Sequence, residues 1–163
     1  MARVQIWDLP VRIFHWLLAA ALVTAFTIAL TVDDESATFA FHYLAGSVAG
    51  FLVLLRIVWG VVGSRWARFR DFTFGPSALA GYLRAALFGG DGARYVGHNP
   101  ATSWAVIAMF ALILSIVTTG LLMGSGGEAF EEIHEILAWT LAAVVGAHVA
   151  GVALHTVRHQ ENI

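Results

Sequence analysis

Four stretches of this chain are long and apolar enough to limit the fold open to it. They run from about 13 to 32, 39 to 63, 102 to 124 and 133 to 157. In a helix, roughly 20 apolar residues cross the hydrocarbon core of a bilayer. Composition agrees: 59% of the 163 residues are hydrophobic and 12% are charged, whereas a soluble domain carries about a quarter charged. The expected fold is all-α. It is an integral membrane four-helix bundle formed as a single domain over residues 1–163. The first stretch is long enough to stay in the membrane, so it reads as a resident helix and not as a cleaved signal.

The connections set the topology. Between the second and third stretches lies the one long connection, and its residues 76–87 read as a short amphipathic helix in the interface plane between helices 2 and 3. The chain has no lysine. Arg3 and Arg12 precede the first stretch, Arg65, Arg68, Arg70, Arg84 and Arg94 fill the long connection, and Arg158 follows the fourth stretch. The two remaining loops hold Asp33, Asp34, Glu35, Glu128, Glu131 and Glu132 and no basic residue. Positive charge stays inside, so both termini and the long connection are expected in the cytoplasm of a bacterial inner membrane. Trp16, Trp59, Trp66 and Trp104 gather near the same boundary, as an interfacial belt would. The absence of cysteine removes disulfides, thiolate metal sites, iron–sulfur clusters and covalently attached c-type haem.

The fourth stretch, IHEILAWTLAAVVGAHVAGVALHTV, carries the chemistry. His134 and His148 are 14 residues apart, which is close to four helical turns and roughly 21 Å along the axis. Ionisable groups inside a membrane helix usually mark function. Following the chain back and forth puts His42 and His134 at the outer level and His15 and His148 at the inner level. A lone histidine at a helix end more often makes an interfacial hydrogen bond. Four at matched depths point to two bis-imidazole couples, His42 with His134 and His15 with His148, each holding the iron of a haem b in a bundle core. With both axial positions filled by protein, electron transfer is favoured over oxygen binding.

Neighbouring residues extend the candidate site. Gly46 and Gly50 lie one and two turns beyond His42. They remove bulk where a porphyrin would pack, and they also spell a helix-packing GxxxG. Arg56 lies 14 residues beyond His42 and so falls on the same stripe at the inner level. It is placed to meet a haem propionate or to snorkel to the interface. His155 competes with His148 as the inner ligand; otherwise it contacts a quinone or a propionate, or is solvated. His98, in GHNP, either caps a turn or makes a propionate or quinone contact.

The segments IWDLPVRIFHW, FHYLAG, LLRIVWGVVGSRWARF, GHNP, IHEILAW and HVAGVALHTVRHQEN resemble the bacterial di-haem cytochrome b561 family. The likeness is strongest to the branch holding the b-type cytochrome subunits of nickel–iron hydrogenases, and it covers essentially the whole chain. Formate dehydrogenase membrane subunits are similar in helix order and ligand spacing. The resemblance implies His15, His42, His134 and His148 as axial ligands to two b haems. It also implies electron transfer between an outer, periplasmic redox protein (a hydrogenase, dehydrogenase or cytochrome c type) and the membrane quinone pool. The chain is then the electron-transfer subunit of an oxidoreductase complex, with lipid and quinone as partners, room for an oligomer and no nucleic acid. His155, His98 and Arg12 are candidates near the inner haem. A second reading is a self-contained quinone-linked oxidase of a small outer substrate such as superoxide. A third is a haem-free transporter with a histidine proton relay.

Overall fold

The computed structural model describes residues 8–88, 99–126 and 128–159. Its helices are α1 (Leu9–Thr31), α2 (Ala40–Val62), α3 (Pro76–Phe88), α4 (Pro100–Gly126) and α5 (Glu128–His159). Short 3-10 turns occupy Ala37–Phe39, Arg65–Ala67 and Phe69–Asp71. No strand occurs among the described residues, and α1, α2, α4 and α5 each contain a segment long and apolar enough to cross a membrane. The all-α membrane fold expected from the sequence is therefore present. The short helix expected between the second and third spans is present as α3.

The boundaries shift where local chemistry overrides hydropathy. α1 begins at Leu9, four residues before the apolar run, because the Asp8 carboxylate accepts the Val11 N–H at 2.9 Å and Pro10 suits the first turn. α5 begins at Glu128, five residues earlier than expected, so most of the segment read as an acidic loop is helical. Glu128 and Glu131 lie in its first turn, where carboxylates meet the positive end of the helix dipole. At the other end of α2, the Arg68 Nε–H donates to the Gly63 carbonyl at 2.7 Å and neutralises the negative helix terminus.

Burial is inverted relative to a water-soluble protein. Trp16, Val23 and Leu30 on α1, Phe41, Phe51 and Val58 on α2, Leu121 on α4, and Ile136 and Val149 on α5 all face outward. A lipid-facing surface is expected to be apolar in this way. The Thr31, Thr118, Thr140 and Thr156 hydroxyls donate to carbonyls one turn back, so none presents an unsatisfied hydrogen to lipid.

The chain divides into two compact units, residues 1–100 and 101–163. In the first, α1 packs on α2. The buried positions of the two helices are mostly small: Ala21 and Ala25 on α1, Ala45, Ala49, Gly50 and Gly60 on α2. Lipid tails are as apolar as leucine, so close backbone approach between small residues drives this pairing. Tyr82 on α3 is half-buried, and burial pushes its phenol above its usual value. In the second unit α5 meets α4 through His134, described next.

Candidate functional site

His42 sits in the first turn of α2, half-buried. Its Nδ1 lies 2.9 Å from the Ala25 carbonyl oxygen on α1. A carbonyl only accepts, so Nδ1 carries the hydrogen and Nε2 carries the lone pair. Phe39 stacks on the ring at 5.0 Å and 28°, and Tyr43 stands edge-on at 5.8 Å. The imidazole is thereby fixed in both tautomer and plane.

His134, in the second turn of α5, repeats the arrangement against α4. Its Nδ1 lies 3.0 Å from the Ile116 carbonyl and 3.1 Å from the Thr119 hydroxyl. The single Thr119 hydroxyl hydrogen is directed at the Ser115 or Ile116 carbonyl, 3.0 and 2.9 Å away. Its oxygen is left to accept from Nδ1, and again Nε2 bears the lone pair. Gly120 makes room: a Cβ there would come within 3.3 Å of His134 Cε1. Ala25, Thr119 and Gly120 escape sequence reasoning, because no pattern tells which carbonyl of a neighbouring helix faces a given ring. The run Thr118–Thr119–Gly120 is the only local sign, a hydroxyl beside a gap in an otherwise apolar helix.

His15 is exposed along α1 and edge-on to Trp16 at 5.6 Å. His148 is half-buried on α5. His15 and His42 belong to the first unit and His134 and His148 to the second. His98 lies outside the described residues. His155 lies on α5, and its side chain is likewise outside the described residues. Arg12 is exposed in the first turn of α1.

Arg56 does not snorkel. It is 7% exposed, and among the described residues its Nη1 has no hydrogen-bond partner. The Phe69 ring lies under the guanidinium, 5.4 Å from Cζ. That ring fits only because residue 60 is glycine: a Cβ there would fall 2.2 Å from Phe69 Cε2. A buried cation with an unmet donor is costly unless an anion meets it. A carboxylate on a buried cofactor, such as a haem propionate, is the fitting group. Gly46 faces open space, with nothing within 4 Å of a Cβ built there. That suits room for a flat group better than helix contact at this position. Gly50 is buried.

Asp8 ties this end of α1 to α2. Beyond capping α1, its carboxylate accepts from the Trp59 Nε1–H at 3.1 Å and from the Ser64 hydroxyl. Burial pushes the carboxyl up, but the Ser64, Val11 and Trp59 donors and the Arg56 charge outweigh it, so Asp8 titrates below its ordinary value. The stability that its charge contributes is complete above the unfolded value of about 4 and is lost as pH falls through the lowered folded value. Asp8→Asn should melt below the wild type at pH 7, and the gap should close as pH falls below about 4.

Comparison with known proteins gives the family. The family model described as prokaryotic cytochrome b561 matches residues 6–163. The "Probable Ni/Fe-hydrogenase B-type cytochrome subunit" of Bradyrhizobium diazoefficiens is 28% identical over 162 residues, covering 85% of this chain and 65% of that protein. The "Probable Ni/Fe-hydrogenase 1 B-type cytochrome subunit" of Escherichia coli is 29% identical, covering 83% of this chain and 68% of its own length. The Rhodobacter capsulatus subunit is 26% identical, covering 96% and 67%. This chain thus spans just under two thirds of the first of these relatives. No solved structure matches it. With four helices long and apolar enough to cross a membrane and a family match along nearly its whole length, the chain belongs to the prokaryotic cytochrome b561 family.

Proposed function

We propose that this chain carries electrons across the membrane through two b haems, between a periplasmic redox protein and the quinone pool. His42 and His134 hold the outer haem, and His15 and His148 the inner one. Haem b would supply a one-electron iron couple, and two histidine ligands from the protein would restrict it to electron exchange. The observation that carries this reading is the pair of Nδ1–H bonds to main-chain carbonyls, His42 to Ala25 and His134 to Ile116. Each bond fixes the tautomer that ligation through Nε2 requires and orients the ring, as outer-sphere partners of metal-bound histidines do.

The remaining residues fill supporting roles. Arg56 neutralises a propionate of the inner haem, and Gly46 leaves space beside the outer one. Both termini face the cytoplasm, so the exposed Asp33, Asp34, Glu35, Glu128, Glu131 and Glu132 line the periplasmic rim. That rim attracts a basic patch on the partner and repels a small anion, which weighs against the superoxide reading. The relatives' names point to a nickel–iron hydrogenase as the partner. A quinone at the inner level would have Arg12 within its surroundings, with His98 and His155 as further candidates. Pyridine haemochrome quantification of the purified protein should give two b haems per chain. One haem or none overturns the reading, and copurification from native membranes identifies the partner.

A further inference from the structure

We propose that Asp8 is a positioning residue for the inner haem: tied to the inner end of α2 through Trp59 and Ser64, its carboxylate offsets part of the Arg56 charge and thereby sets that haem's midpoint potential. The inference rests on the inner-haem reading above. Asp8 reaches α2 twice, through Trp59 Nε1 at 3.1 Å and through Ser64, residues 51 and 56 positions away in sequence. Trp59 follows Arg56 by three residues and so shares its face of the helix. Phe69, seated in the Gly60 notch, closes the cation from another side. The carboxylate acts on the Arg56 charge, yet among the described residues Nη1 has no hydrogen-bond partner in a side chain more than nine-tenths buried. The Arg56 charge is therefore offset only in part by Asp8, and its Nη1 still needs an acceptor. A haem carboxylate in that place would experience whatever positive charge Asp8 leaves uncompensated.

The sign follows from charge. Reduction adds an electron to the haem, so a stronger neighbouring cation favours the reduced form. Removing the Asp8 charge should raise the inner midpoint potential and leave the outer one unmoved. Asp8→Asn keeps the cap, since asparagine caps helices as well as aspartate does. The experiment is a redox titration of both haems, with electron paramagnetic resonance to tell them apart, on purified wild type, Asp8→Asn, Asp8→Glu, Arg56→Gln and the Asp8→Asn/Arg56→Gln double variant. Asp8→Asn should shift the inner couple three- to tenfold toward reduction, at most about 59 mV for one electron. Asp8→Glu should restore most of the wild-type value. In the Arg56→Gln background the Asp8→Asn shift should largely vanish, because residues acting as a unit are not additive. An unshifted Asp8→Asn, equal shifts in both haems, an Asp8→Glu protein that behaves as Asp8→Asn, or a shift that persists without Arg56 each overturns the proposal and leaves the haem assignment standing. A wild type without a second haem overturns both.

Discussion

Replacing His134 by alanine is expected to strip the outer haem from the protein while the inner haem keeps its absorbance. With no cysteine in the chain, a bound haem would be held by its histidine ligands and by packing, so the loss of one imidazole would free it. About half of the b-haem absorbance should go. His42→Ala should give the same spectrum if, as proposed, His42 and His134 ligate one iron. His15→Ala and His148→Ala should remove the other half. His155→Ala separates the two inner candidates: retention of both haems assigns the inner iron to His148, and loss of the inner haem moves it to His155. Haemochrome quantification and reduced-minus-oxidised spectra read each outcome. Equal loss of both haems from a variant with wild-type helix content and yield would break the pairing by depth.

Arg56→Gln is expected to lower the inner midpoint potential by about 60 mV or more, the equivalent of a tenfold bias in a one-electron couple, and to weaken retention of that haem. Glutamine keeps a donor but removes the charge, so a propionate near Nη1 would face no cation. The effect is opposite in sign to that of Asp8→Asn. Arg56→Lys should fall between, since an ammonium restores charge without the planar fork. A redox titration checks this prediction. An inner potential unchanged in Arg56→Gln would mean that Nη1 faces something other than the haem, and the orphaned donor would need another anion.

Hydropathy made the four spans legible, because a bilayer admits few alternatives for a run of 20 apolar residues. It misplaced their ends for a definable reason. The start of α1 is set by the Asp8 side chain and the start of α5 by Glu128 and Glu131. Both are polar signals that lie outside the apolar window. The spacing from His42 to Arg56 showed that they share a stripe, but not that Arg56 is buried. Burial depends on Phe69 folding back into the Gly60 notch, a contact made beyond the end of the helix. The contacts of His42 and His134 were legible only in part: the imidazoles stand out in an apolar helix, whereas their acceptors are main-chain carbonyls, which every residue carries. For the same reason Thr119 and Gly120 read as ordinary members of α4.

Those carbonyl acceptors have an evolutionary consequence. A main-chain oxygen survives every point substitution, so codon changes at Ala25 and Ile116 leave it available to the ring as long as the helix keeps its place. The Thr119 hydroxyl on His134, by contrast, can be exchanged by mutation. Substitution at residue 119 can therefore alter the setting of His134, while the main-chain acceptors keep the lone pair of both rings on Nε2 across diverging sequences.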